Sequence, residues 1–141
     1  MRRISVLAIM LISAVLSFAA DADIKKAWID SFGYENDVWG LYAHAGFVIN
    51  DCKGQACRMV VYLKDESGKY IKNTSGKTVS FQTTFYPASN SAKYHDLRIF
   101  CPLSKMNIKS SSPAKNYYFV IYIIDKSGKF IGNSNSMKIT Y

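Results

Sequence analysis

The side chains best suited to nucleophilic chemistry are Cys101, His95 and Asp96, which are the residue types of a catalytic triad. His95 and Asp96 are adjacent, and neighbours along a strand point to opposite faces of a sheet, so their triad geometry would be poor. His44 has no base, nucleophile or metal ligand near it in sequence, which predicts an ordinary surface histidine. The sequence therefore predicts no catalytic triad.

Three carboxylates form a second group with catalytic potential. Asp30, Glu35 and Asp37 lie close in sequence to Trp28 and Trp39. Paired carboxylates are typical of glycoside hydrolases, in which one acts as an acid and the other as a nucleophile or base. No further residues support such a site, so a solvated, turn-forming cluster is the better interpretation. We predict that the protein is not an enzyme.

The three cysteines are candidates for a disulfide or a metal site. Cys52 and Cys57 flank a bend between two predicted strands, where hairpin geometry would bring them to disulfide distance in an oxidising compartment. The alternatives are a bridge between Cys57 and Cys101, or three packed thiols. Zinc is not expected, because structural sites need four ligands in short paired spacings and both histidines lie far away in sequence. No metal and no cofactor are predicted.

Residues 1–22 have the pattern of a secretory signal peptide. A basic start precedes an apolar run from Ile4 to Phe18 and then small residues, which permit cleavage after Ala19 or after Ala22. The run is shorter than the roughly 20 residues of a membrane span, so no transmembrane anchor is expected after processing. We predict a secreted protein that resides in the periplasm, at the cell surface or outside the cell.

The single domain expected over residues 23–141 is basic and aromatic. The whole chain has 18 Lys plus Arg against 10 Asp plus Glu, a formal net charge of +8, and 14% aromatic residues. The lysines are scattered singly, which favours solubility over a concentrated anion-binding patch. Nucleic acid is not an expected partner of a secreted chain, whereas a high aromatic content suits β-structure.

Alternating apolar and polar residues predict strands along this domain, and no stretch has a convincing helical period. Seven to eight short strands separated by turn signals predict an all-β fold, an immunoglobulin-like antiparallel β-sandwich. The expected strands are residues 27–32, 41–49, 57–64, 70–72, 78–86, 97–100, 117–124 and 137–141.

An internal repeat supports this fold. Residues 57–74 align without gaps with residues 117–134, at an offset of 60, and eight of the aligned pairs are identical. Each copy is predicted to be a hairpin in which Asp65 or Asp125 accepts backbone hydrogen bonds and a following Gly adopts positive φ. A calcium loop is the alternative, but it needs several further carboxylates, of which only Glu66 is present.

The two repeated hairpins predict a shared aromatic surface. In an immunoglobulin-like sandwich their first strands pair antiparallel, so their outward side chains would share one face. We expect a register that pairs Val60 with Val120. Arg58 would then lie opposite Tyr122 as a cation–π pair. The predicted ligand-binding residues are Arg58, Val60, Tyr62, Tyr118, Val120 and Tyr122, with Trp39 added.

Four segments resemble a known group of proteins: Gly40 to Asn50, the Lys53-Gly54 turn, the hairpin from Val60 to Gly68, and Leu97 to Leu103. The sequence resembles uncharacterised secreted bacterial β-sandwich modules of the immunoglobulin-like type. Such modules are often accessory domains, so the resemblance implies an interaction role and supplies no catalytic residues.

Two functions fit these features. The first is a non-catalytic interaction module that presents the aromatic sheet face to a protein partner at the cell envelope, since Tyr and Arg are favoured at protein interfaces. The second is a carbohydrate-binding module in which Trp39 and the three tyrosines stack on sugar rings. Apolar Val60 and Val120 at the centre of the face favour a protein partner, whereas a flat and regular aromatic row would favour a glycan.

Overall fold

The computed structural model describes residues 19–141 as two packed antiparallel sheets, so nearly all of the predicted signal peptide lies outside the described residues. The predicted all-β sandwich is confirmed, with nine strands in this range instead of seven to eight. The strands are β1 (Asp21–Ile29), β2 (Gly33–Glu35), β3 (Val38–Asn50), β4 (Cys57–Lys64), β5 (Ser80–Phe85), β6 (Ser91–Pro102), β7 (Asn116–Ile124), β8 (Phe130–Asn133) and β9 (Met137–Thr140), with a single 3-10 turn at Leu103–Lys105.

The first sheet is built around β3. β6 pairs antiparallel with one edge of β3, and β2 and β1 pair with successive parts of the other edge. The short strand β2 was not predicted, and it is joined to β3 by a tight turn. Asn36 and Asp37 in that turn have φ of 48° and 65°, as a two-residue hairpin turn of the right twist requires.

The second sheet has the order β5-β4-β7, and β8 and β9 pair with successive parts of the far edge of β7. The expected pairing of the two repeat copies is present, but the predicted register is wrong by two residues. Val60 lies opposite Tyr122, and Tyr62 lies opposite Val120. A shift of two residues keeps every side chain on its face, so the hydrophobic pattern does not distinguish the two registers.

The core lies between the sheets, and it is formed by the apolar residues of the alternating pattern from which the strands were predicted. Phe47, Met59 and Phe119 are among its fully buried side chains. All three cysteines are also buried, and they are free. The bridge between Cys52 and Cys57 is not formed, and the structure has the alternative of packed thiols. Burial raises the pKa of the Cys57 thiol to about 12, which makes it unreactive near neutral pH.

Strand limits account for the remaining differences from the prediction. β6 is much longer than the expected 97–100, and the expected strand 70–72 forms only isolated bridges, Lys64 with Tyr70 and Lys72 with Thr78. β1 begins at Asp21, two residues before the predicted start of the domain. Within the described part of the chain, no helix is long and apolar enough to cross a membrane.

The start of β1 bears on the two expected cleavage positions. Ala22 lies against β8, where a Cβ on Gly132 would come within 2.6 Å of the Ala22 carbonyl oxygen. Glycine therefore permits the close approach of β1 to β8, at which the two sheets meet. Cleavage after Ala19 would leave β1 whole, whereas cleavage after Ala22 would remove its first two residues.

Candidate functional site

Three turns share one sequence pattern, Asp or Asn, any residue, Ser, Gly and Lys, over residues 65–69, 73–77 and 125–129. In each turn the first side chain accepts hydrogen bonds from the Ser N–H, the Ser hydroxyl and the Lys N–H, at 2.6–3.0 Å. Bonds from Ser67 and Ser127 lower the pKa of Asp65 and Asp125 respectively. The structure thus has the predicted turns in both hairpins, and the turn at 73–77 is a third copy that was not predicted.

The residue after each of these turns lines one cleft on the outer face of the second sheet. Tyr70, Thr78 and Phe130 follow the three turns, and they meet Tyr62 and Tyr122, which project outward from β4 and β7. We call these five residues the tyrosine cleft. Its volume is about 420 Å³. The repeated turn therefore positions three of the five residues that form the cleft.

The aromatic rings of the tyrosine cleft meet edge to face. The centroids of Tyr62 and Tyr122 are 5.6 Å apart with ring planes at 69°, Tyr62 and Tyr70 are at 5.5 Å and 65°, and Tyr122 and Phe130 are at 5.1 Å and 74°. Such inclined contacts are the favoured geometry for aromatic pairs. The hydroxyls of Tyr70 and Tyr122 lie 3.2 Å apart, and this hydrogen bond, together with burial, raises the pKa of Tyr122 to about 12.

The valines predicted at the centre of the binding face are not accessible. Val60 is 2% exposed and Val120 is 4% exposed, although both lie outside the core between the sheets. The predicted surface with accessible valines at its centre is therefore wrong.

Arg58 and Tyr118 do not join the tyrosine cleft. Arg58 lies opposite Ile124 and donates a hydrogen bond to Gln82 Oε1 at 2.9 Å, so the predicted cation–π pair with Tyr122 is not formed. Tyr118 lies opposite Lys64, outside the lining of the cleft. Both corrections follow from the shift in register.

Trp39 belongs to a different part of the molecule. It lies on β3 of the first sheet, opposite Tyr34, with the two ring centroids 4.6 Å apart. Phe32 also stacks on Trp39, at a centroid distance of 6.1 Å. The predicted set of sugar-stacking rings therefore does not converge on one surface.

Sequence reasoning missed three residues of the tyrosine cleft, Tyr70, Thr78 and Phe130. A signal for two of them was present, because Tyr70 and Phe130 are aligned aromatic residues in the internal repeat. Thr78 holds the same position after the third turn. All three missed residues therefore share one sequence signal: each directly follows a Ser-Gly-Lys sequence.

The outer face of the first sheet holds a second cluster, which we call the histidine face: Trp28, Asp30, Tyr42, His44, Asp96 and Arg98. His44 is only 6% exposed, so the predicted surface histidine is wrong. Its Nε2 lies 2.8 Å from Asp30 Oδ2, and its Nδ1 lies 2.7 Å from Asp96 Oδ1. Because carboxylates only accept hydrogen bonds, both contacts are satisfied together when the imidazole carries two protons.

The rings of the histidine face pack against their neighbours. Trp28 stacks on His44 with a centroid distance of 4.7 Å and an interplanar angle of 7°. The Arg98 guanidinium lies 4.5 Å from the centroid of Tyr42. Burial alone would lower the pKa of His44, but the hydrogen bonds and charges of Asp30 and Asp96 outweigh it and raise the pKa.

Three of the groups considered for catalysis, Asp30, Asp96 and Cys101, are bound or buried within the protein. Asp96 and Asp30 bind the two nitrogens of His44, which leaves neither nitrogen free to accept a proton from a nucleophile. Cys101 is buried, and burial raises its pKa to about 12. Among residues 19–141, no group of three His, Cys, Asp or Glu side chains is arranged to hold a metal ion.

Comparisons with known proteins do not identify a function for this protein, so its function is argued from the fold and from the two clusters. No family model and no curated protein matches this sequence. A solved structure described as "X-ray structure of Northeast Structural Genomics Consortium target SoR45" is 14% identical, over 86% of this chain and 84% of that chain, with a TM-score of 0.28. That TM-score is too low to support an argument, so the resemblance to secreted bacterial modules stays a prediction.

Proposed function

We propose that the protein is an exported, non-catalytic β-sandwich interaction module that binds a protein partner through the tyrosine cleft. One observation carries the proposal: aromatic rings surround an open cleft of about 420 Å³ on an otherwise regular sheet face. Phe130 and Tyr70 at the cleft are 54% and 41% exposed. Exposed aromatic side chains grouped around a concave site are typical of protein interfaces.

The ring geometry favours a protein partner over a glycan. Sugars stack on the flat face of an aromatic ring, and a row of such faces must share one orientation to bind a polysaccharide. The planes in the tyrosine cleft are inclined to each other by 65–74°, so they present a cleft instead of a platform. A single apolar side chain of a partner fits this shape better than a sugar chain.

The contacts at His44 and Cys101 support the non-catalytic part of the proposal. Both nitrogens of His44 are bound by carboxylates, and the Cys101 thiol is buried. His44 and Cys101 therefore do not provide a free base beside an accessible nucleophile.

Photo-crosslinking tests the proposal at a single position. The photoreactive amino acid p-benzoylphenylalanine would replace Phe130 in one form of the protein and Tyr86 in a matched control. Tyr86 is 65% exposed but does not line the cleft. We expect a protein adduct from position 130 and none from position 86. Excess unlabelled wild-type protein should suppress the adduct, and Phe130→Ala protein should not.

The same variants separate the alternatives. Retention on polysaccharide affinity gels that is lost in Phe130→Ala would replace the proposal with the carbohydrate-binding function. Equal adducts from positions 130 and 86, or no adduct from position 130, would show that the tyrosine cleft is not the binding site. Circular dichroism and the urea unfolding midpoint would establish that each variant is folded.

A further inference from the structure

We infer that the partner segment that binds the tyrosine cleft combines an aromatic or large aliphatic side chain with neighbouring carboxylates. This inference rests on the proposed function and adds the chemistry of the partner. Two observations carry it: the apolar lining of the cleft, and a positive charge on the second sheet that the described residues do not neutralise.

The lining of the cleft calls for an apolar group. Four of its five residues are aromatic, and the hydroxyls of Tyr70 and Tyr122 lie 3.2 Å apart and hydrogen-bond each other. This hydrogen bond occupies one of their two O–H donors, and the surface that lines the cleft is mostly apolar. An aromatic or leucine side chain would fill the cleft by burying apolar surface against the rings.

The strands of the second sheet carry only positive charge. No Asp or Glu occurs in β4, β5, β7, β8 or β9, whereas these strands contain Arg58, Lys64 and Lys138. Alternation along the strands places all three cations on the same outer face as Tyr62 and Tyr122. None of the three forms a salt bridge within residues 19–141.

The turns around the cleft do not cancel this charge. The three Ser-Gly-Lys turns contain four lysines against three carboxylates. Two of those carboxylates, Asp65 and Asp125, accept hydrogen bonds from their own turns, and Glu66 accepts one from the Asn116 N–H at 2.9 Å. Accepting these hydrogen bonds leaves the carboxylates charged, but they are fewer than the lysines of the same turns, and within the described residues none of them forms a salt bridge with Arg58, Lys64 or Lys138.

Lys64 contacts a residue of the cleft directly. Its Nζ lies 4.9 Å from the centroid of the Tyr70 ring. A carboxylate next to an apolar side chain seated in the cleft would meet this ammonium at the rim, where water screens the interaction only in part. Acidic residues on both sides of the anchor would match Arg58 and Lys138 as well.

Selection from a displayed library of random linear peptides tests the inference, because the protein itself then selects the sequences that it binds. The bait is the folded wild-type protein, and the most enriched peptide is synthesised and titrated by fluorescence anisotropy. We expect enriched peptides to share one aromatic or leucine residue flanked by Asp or Glu. The Kd should rise by about tenfold or more in Phe130→Ala, as for a hot-spot residue, and it should rise with salt concentration.

Charge-reversed variants make the test specific for the cations. Lys64→Glu should weaken binding of the enriched acidic peptide, and the neutral Lys64→Gln should weaken it less. Lys93→Glu is the matched control, because Lys93 is exposed on β6 of the other sheet, and it should leave the Kd unchanged. Each variant is compared only after its unfolding midpoint shows that it is folded.

The outcomes distinguish the inference from the function on which it rests. Two results would overturn the inference: enriched peptides that lack acidic residues, or a Kd that Lys64→Glu leaves unchanged. If Phe130→Ala still abolished binding in that case, the tyrosine cleft would remain the binding site. Enriched peptides that bind Phe130→Ala as well as wild type, or no enrichment at all, would count against both the inference and the proposed function.

Discussion

The two outer faces of the sandwich use similar residue types in opposite ways. On the histidine face, two carboxylates bind His44, Trp28 stacks on its ring, and Arg98 covers Tyr42. In the tyrosine cleft, the rings surround an opening and Phe130 remains 54% exposed. Aromatic and charged side chains on a sheet therefore do not by themselves define a binding surface. What matters is whether neighbours in the same chain already satisfy them.

Charge separates the two faces in the same way. The strands of the first sheet contain four acidic and four basic residues, whereas those of the second contain three basic residues and no acidic ones. A balanced sheet face can satisfy its charges internally, and a face with cations alone needs an external partner or solvent. This difference supports our proposal that the tyrosine cleft is the interaction site, whereas the charged groups of the histidine face are bound within the chain.

Replacing His44 by Leu should give the largest loss of stability and should leave binding intact. The variant removes the proton donors that hold Asp30 and Asp96, and it leaves these carboxylates facing an apolar side chain. Because both carboxylates are about half exposed, we expect a loss of about 2 kcal/mol, below the range for fully buried pairs. Urea unfolding at pH 6 measures this loss. A folded variant that no longer binds the cleft peptide would show that the two faces act together.

Phe130→Ala should show the reverse behaviour, with a large effect on binding and a small effect on stability. Phe130 is more than half exposed, so its truncation should cost about 1 kcal/mol or less, compared with 3–5 for a buried Phe. The urea midpoint and the peptide Kd, measured on the same sample, test this separation. A stability loss close to that of His44→Leu would mean that the cleft is a structural cluster like the histidine face.

These two clusters differ in how far the sequence could predict them. The period-two pattern placed Tyr62 and Tyr122 on one face, because alternation fixes the face of each strand residue. The same pattern could not fix the register of β4 against β7, nor show that Val60 is buried on the outer face of the sheet. His44 was missed for a related reason, since its partners Asp30 and Asp96 lie 14 and 52 positions away along the chain.

The turns were the most predictable part of the candidate site. An Asp or Asn two positions before Ser and three before Gly determines its own hydrogen bonds locally, so the sequence is sufficient. Where the chain goes after the turn depends on long-range packing. That is why the turn at 65–69 was predicted, while the return of Tyr70 over the sheet was not.

Lowering the pH from 8 to 6 should stabilise the wild-type protein through the histidine face. The pKa of His44 is raised in the folded protein by Asp30 and Asp96, so its contribution is fully present below the unfolded pKa of about 6.5 and is lost as pH rises through the folded value. The unfolding free energy should therefore fall between pH 6 and pH 8 by more in wild type than in His44→Gln. Parallel pH profiles for the two proteins would contradict the protonated arrangement at His44.

Tyr70→Phe should give the smallest change in stability, and the change should be confined to the tyrosine cleft. The variant removes the hydroxyl that hydrogen-bonds Tyr122, a bond worth about 0.5–1 kcal/mol in net stability. Because this bond is the first cause of the raised pKa of Tyr122, which is about 12, the pKa should fall towards the ordinary tyrosine value of about 10. Alkaline titration of tyrosinate absorbance detects this shift as one tyrosine that ionises at lower pH.

Tyr34→Phe, on the other sheet, is the control for this titration. An unchanged titration of the remaining tyrosines in Tyr70→Phe would show that the two hydroxyls do not interact in solution. The cleft would then be more open than the structure describes, and its contrast with the closed histidine face would be greater.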